Sequence, residues 1–205
     1  MLCRPYARAG IPPITTVKAA FGQAIANLDC GSDYVYLYNY MDMATFEGEL
    51  SEWTYPESIR NDENRPLIFN NIGKKETLLK QSRSHVVTYN DFPAYLNMMK
   101  TLLPLKFSQH SGYQPIKINV GEIPENEKVR LILGINGEEI APADISVYAN
   151  SAKCEFDGMV KLHKNIYDKP CYSFEIIENR FETVIAEVRI QKECMLEYVE
   201  IEVLV

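Results

Sequence analysis

The pattern of apolar and polar residues first predicts one helix and one strand. Apolar side chains recur at helical spacing between residues 16 and 29, with Thr15 and Thr16 as candidate N-caps and Gly31 at the position of a C-cap glycine. Residues 33–41 then form an aromatic and β-branched run without alternation, which is typical of a strand buried on both faces of a parallel sheet. Helix, short turn and buried strand together are one unit of an α/β fold.

The segment after this unit is harder to assign. A polar connection over 43–65 is followed by short helical patterns from Pro66 to Gly73 and from Lys75 to Ser82. His85–Tyr89 is predicted to be a short strand, and Phe92–Leu103 is apolar and helix-like or a packed linker. We therefore treat residues 1–104 as an α/β segment.

Beyond Pro104 the pattern changes to short apolar runs separated by turn residues. The predicted strands are Leu105–Phe107, Ile116–Val120, Val129–Ile135, Ile145–Ala149, Tyr172–Ile177, Val184–Ile190 and Leu196–Val205. Two of them alternate cleanly, as half-buried antiparallel strands do, and Asn136-Gly137 is a hairpin-type turn signal. The predicted fold is therefore α+β, with an antiparallel β-sandwich over residues 105–205.

Composition and charge restrict the partners and the compartment. The net charge is −7, and all of it falls in residues 108–205, which argues against nucleic acid as a partner. The five cysteines show no CxxC spacing, and the chain has neither an apolar leader nor a run of about 18 apolar residues. We predict buried thiols, no membrane span and a cytoplasmic location.

Signatures of catalysis are missing from the sequence. The three histidines lie far apart, and the chain has no glycine-rich phosphate loop and no GxSxG nucleophile motif. The sequence therefore predicts no catalytic residue, no metal ligand and no cofactor.

The candidate binding residues follow the buried strand. Asn39 and Asp42 lie near its carboxyl end, where α/β folds place ligands, although a polar strand end would have the same sequence. Trp53 and Tyr55 in the long connection form a candidate platform for stacking sugar rings, or Trp53 simply anchors the connection to the core.

The order of these motifs resembles a known group of proteins. The run from Ala19 to Asp42 resembles the last helix and strand of bacterial glycoside-hydrolase-like (β/α)-barrel proteins, where a GADGIYLFNY-type segment is common. Residues 71–89 are similar to the final barrel helix and its exit, and segments 103–107, 129–134 and 198–202 are similar to the β-sandwich appended to such barrels. Since a closed barrel needs eight strands in about 250 residues, the resemblance implies only the C-terminal portion of one.

Three hypotheses of function follow. The resemblance implies a carbohydrate-associated protein, the accessory part of a glycoside-hydrolase-like enzyme, which binds an oligosaccharide but is not catalytic alone. The alternative is a structural or interaction module that completes a barrel or an oligomer with another chain, because a lone buried strand leaves unpaired edges. An intact small hydrolase is the third, but no pair of catalytic carboxylates can be assigned.

Overall fold

The computed structural model describes residues 16–35, 56–59, 61–88, 102–138, 140–164, 166–178 and 181–205. In these ranges the helices are α1 (Val17–Asp29), α2 (Arg65–Asn71) and α3 (Lys75–Leu78). The strands are β1 (Arg83–Thr88), β2 (Leu105–Phe107), β3 (Gln114–Asn119), β4 (Lys128–Gly137), β5 (Ile145–Ala149), β6 (Ala152–Lys153), β7 (Glu155–Lys161), β8 (Pro170–Ile176), β9 (Thr183–Ile190) and β10 (Cys194–Leu204). None of the described helices is long and apolar enough to cross a membrane.

The strands form two antiparallel sheets. The larger sheet has the order β1-β10-β4-β8-β7, with β2 also paired to β10, and the smaller sheet has the order β3-β9-β5-β6. The apolar positions of the alternating strands face inward and form one core, to which β9 contributes Val184, Ala186, Val188 and Ile190 and β10 contributes Val199, Ile201 and Val203. The predicted antiparallel, sandwich-like architecture is confirmed.

The N-terminal helices pack together on the larger sheet. Thr16 caps α1 by accepting a hydrogen bond from the Ala19 amide, and Gly31 follows the helix at φ +94°. Strand β1 pairs with β10 from Arg83 opposite Val203 to Thr88 opposite Tyr198. Hydrogen bonds therefore cross the predicted boundary at residue 105, and the division into two domains stays a prediction.

Two local predictions need correction. Asn136-Gly137 does not form a hairpin turn, because β4 continues through Gly137, where both residues pair with β10, and β5 belongs to the other sheet. Strand β7 was not predicted, because it is an edge strand whose mostly exposed residues lack an apolar alternation.

Little of the predicted buried strand can be compared with the structure. Asp33, Tyr34 and Val35 are described and are not in a strand, while residues 36–41 lie outside the described ranges. Tyr34 is 88% exposed, whereas Val35 packs partly against the cluster of helices. The barrel unit therefore remains a prediction.

Candidate functional site

The residues predicted from sequence to bind a ligand, Asn39, Asp42, Trp53 and Tyr55, all lie outside the described residues. Within the ranges that are described, no group of three or more His, Cys, Asp or Glu side chains is arranged to hold a metal ion. The candidate site described below consists of side chains that are distant in sequence and that the tertiary structure brings together.

The buried cysteines are not candidate nucleophiles. Burial raises the pKa of Cys154 and Cys194 to about 11 and that of Cys171 to about 12. Since the reactive species is the thiolate, these thiols are unreactive at neutral pH. They form no disulfide, as predicted, whereas Cys30 is free but exposed, so the prediction of a buried thiol is wrong for that residue.

The strongest candidate is the solvent side of the smaller sheet, which we call the tyrosine face. Because β9 alternates, its residues Glu187 and Arg189 point away from the core, and Tyr148 of β5 lies directly opposite Glu187. Tyr113 immediately precedes β3, on the other side of β9. The face consists of Tyr113, Tyr148, Glu187 and Arg189, with Lys117 and Lys153 beside them.

Aromatic contacts hold the centre of the tyrosine face in place. The rings of Tyr113 and Tyr148 meet edge to face, with centroids 5.5 Å apart and an interplanar angle of 80°. The guanidinium carbon of Arg189 lies 5.8 Å from the centroid of the Tyr113 ring. Tyr113 nevertheless remains 41% exposed, so the face offers a rigid aromatic surface to a ligand.

The electrostatics of this face differ from those of the whole chain. Its outward charges are Lys117, Lys153, Arg189 and Glu187, which gives three positive charges against one negative charge. The chain as a whole carries −7. Hydrogen bonding to Tyr113, and to a lesser extent the charge of Glu187, raises the pKa of Tyr148, so the Tyr148 hydroxyl proton is engaged with Tyr113 and its oxygen is left to accept a hydrogen bond from a ligand.

The outer side of the larger sheet contains a second polar cluster, but its groups satisfy one another. Glu202 accepts hydrogen bonds from Lys18 of α1 at 2.6 Å and from Arg130. Glu200 accepts from the Tyr198 hydroxyl at 2.6 Å. Both glutamates are buried, so this cluster fixes α1 and β4 to β10 rather than offering a site.

A third polar cluster lies at one end of the sandwich. Arg83 is fully buried, donates to the Glu122 carbonyl at 2.7 Å and forms an ion pair with Glu127 at 3.6 Å. His85 points to the same side of β1, and burial together with the nearby Arg83 charge lowers its pKa to about 3, so it is neutral. A buried histidine with so low a pKa does not take up a proton near neutral pH, so His85 is poorly suited to act as a catalytic base.

An open cleft of about 680 Å³ lies between the β3–β4 and β8–β9 loops. Its walls are Ile123, Pro124, Glu125, Asn126, Ile177, Glu178 and Phe181. The cleft has two carboxylates, the Asn126 amide and one aromatic ring, whereas the tyrosine face has two aromatic rings in contact and three cations, so the cleft is the weaker candidate.

Sequence reasoning did not single out Tyr113, Tyr148 or Arg189. The alternation of β9 does place Arg189 outside, and this signal was available from the sequence. The pairing of β9 with both β3 and β5 could not be predicted from the sequence, because strands of the other sheet lie between them along the chain. Comparisons with protein-family models and with curated proteins give no match for this chain.

Proposed function

We propose that this protein is a carbohydrate-binding accessory module, similar in role to the C-terminal part of a glycoside-hydrolase-like enzyme, and not catalytic by itself. The barrel relationship rests on the sequence resemblance alone.

The observation that carries the proposal is the tyrosine face. A pyranose ring has an apolar side that packs on an aromatic ring and hydroxyls at its edge that need hydrogen-bond partners. Tyr113 provides an exposed ring surface, and the half-buried Tyr148 contacts it edge to face. Glu187 and Arg189, on the same side of β9, provide an acceptor and several donors beside these rings.

Tyr148→Ala tests this proposal. Binding of neutral and acidic oligosaccharides is screened on a glycan array and measured by calorimetry, and we expect the variant to lose about tenfold or more in affinity. Phe156→Ala is the matched control, because Phe156 is an exposed aromatic residue on β7 of the other sheet, and it should bind like wild type. If no saccharide binds, the proposal is wrong, and if both variants bind equally, the tyrosine face is not the binding site.

The same binding measurements test the platform predicted at Trp53 and Tyr55. Trp53→Ala should weaken binding if this platform contributes to the site, and it should leave binding unchanged if the tyrosine face acts alone. Either result locates the site without affecting the proposal that the chain binds saccharides. The cytoplasmic location stays a prediction.

The alternative, an interaction module, is supported by one feature of the described structure. Strand β7 is at the edge of the larger sheet and exposes Phe156 (42%) and Met159 (49%). Unpaired edge strands can accept a strand from another chain, although the irregular pairing next to Gly158 disfavours it. Light scattering distinguishes the two, since this alternative predicts a dimer or larger assembly.

A further inference from the structure

We propose that the ligand of the tyrosine face is an acidic saccharide, and that Arg189 binds its carboxylate. This inference rests on the proposed function, and it adds the chemical class of the sugar. It depends on three observations: the pairing state of the cations on this face, their position relative to the tyrosines, and the local sign of the charge.

The cations of the tyrosine face have no carboxylate partner in the described part of the chain. Arg189, Lys117 and Lys153 form no ion pair there, and the buried Arg189 Nε has no hydrogen-bond acceptor. On the outer side of the larger sheet the opposite holds, since Arg130, Lys128 and Lys169 each pair with a glutamate or an aspartate. Lys74, Lys80, Lys161 and Lys164 also form no ion pair among the described residues, so what distinguishes the tyrosine face is that its unpaired cations lie beside aromatic rings.

The position of Arg189 suits recognition of a carboxylate. Its guanidinium carbon lies over the Tyr113 ring, 5.8 Å from the centroid, so the fork of N–H donors is held at the aromatic surface itself. A planar guanidinium donates two parallel hydrogen bonds to a carboxylate, a geometry that an ammonium group cannot match. A uronic acid presents a carboxylate at the edge of a ring whose side packs on tyrosine.

Lys153 extends the positive surface along the ligand. It pairs across β5–β6 with Tyr148, so it lies on the side of the tyrosines opposite Glu187. From Glu187 on β9 through Tyr148 on β5 to Lys153 on β6, the surface spans about two strand spacings, roughly 10 Å. This length is enough for more than one charged sugar. A short ligand there is screened from the acidic remainder of the chain, because the Debye length is only about 8 Å at physiological salt.

The experiment compares two ligands that differ in charge and by one methyl group on each carboxyl. Calorimetry of the full chain uses short oligogalacturonates and the same oligomers as full methyl esters. We expect the acid form to bind, the ester to bind at least about tenfold more weakly, and Arg189→Met to remove this difference. Arg189→Lys should recover only part of it, and added salt should weaken binding of the acid form.

A control variant and further ligands make the outcomes distinct. Lys161→Met on β7 removes one positive charge from the other sheet and should bind like wild type. Equal binding of acid and ester, still dependent on Tyr148, would overturn this inference and leave saccharide binding intact, whereas no binding of either would remove both. Preference for a sulfated galactan oligomer would overturn the carboxylate assignment. Preference for a single-stranded oligonucleotide, or self-association through this face in light scattering, would overturn the saccharide class.

Discussion

Two glutamates that are two residues apart on β10 show how strongly the surroundings decide a side chain's chemistry. Burial raises the pKa of Glu200, and hydrogen bonds from Ser84 and Tyr198 oppose this only in part. Burial also acts on Glu202, but hydrogen bonds from Lys18 and Arg130 outweigh it and lower the pKa. The same residue type on the same strand face therefore responds to pH in opposite ways.

Replacing each glutamate by glutamine should change stability with opposite signs. Since the pKa of Glu200 is above its ordinary 4.5, folding is penalised as pH rises through the folded-state pKa, and Glu200→Gln should gain stability over wild type in that range. Since the pKa of Glu202 is below 4.5, Glu202→Gln should cost roughly 1–3 kcal/mol at neutral pH, and the loss should shrink as pH falls below 4.5. Urea unfolding between about pH 2 and pH 8 measures both. Shifts of the same sign, or without pH dependence, would contradict this account.

At the scale of elements, α1 and β1 are in unusually close contact. A Cβ atom at Gly22 would lie 2.1 Å from the carbonyl oxygen of Ser84, which is backbone and cannot rotate away. Only glycine permits this approach, so the helix contains a poor helix former in its buried face. Here packing against the sheet outweighs helix propensity.

Gly22→Ala should therefore destabilise the protein, although alanine favours an isolated helix by about 1 kcal/mol. We expect a net loss of roughly 1–3 kcal/mol from the displaced helix, measured by urea unfolding. Gln23→Ala, on the exposed side of the same helix, is the control and should be neutral or slightly stabilising. A stabilising Gly22→Ala would show that α1 does not pack this closely.

At the scale of the whole molecule, β1 ties the N-terminal segment to the sandwich. It covers the edge of β10 over six paired residues, and the amide of Val205 donates to the Ser82 hydroxyl at 3.1 Å. A sandwich cut at the predicted boundary would lose this strand and expose the edge of β10. We therefore expect the cooperative unit to extend to about residue 82.

We expect a fragment of residues 82–205 to be more stable than a fragment of residues 102–205. The shorter fragment lacks β1 and should melt at a lower temperature and aggregate, as seen by circular dichroism and light scattering. Equal melting temperatures would instead support a boundary near residue 105.

The sequence by itself determined the strands and helices with strong periodicity. The apolar alternation from Val184 to Ile190 and from Val199 to Val203 assigned the core side of β9 and β10, because a pleated strand must turn every second side chain to the interior. The sequence did not predict β7, because this edge strand is mostly exposed and lacks apolar alternation. It wrongly predicted a turn at Asn136-Gly137, because pairing with β10 extends β4 through both residues.

Only the tertiary structure decided which side chains share a surface. Tyr113, Tyr148 and Arg189 are up to 76 residues apart, the separation of 113 from 189, and they meet because β9 pairs with both β3 and β5. The alternating pattern of β10 placed Glu200 and Glu202 on its polar side, but the tertiary structure buries both. There Glu202 pairs with Lys18 and Glu200 accepts a hydrogen bond from Tyr198. Periodicity specifies the face of a strand, but the neighbours on that face depend on long-range pairing.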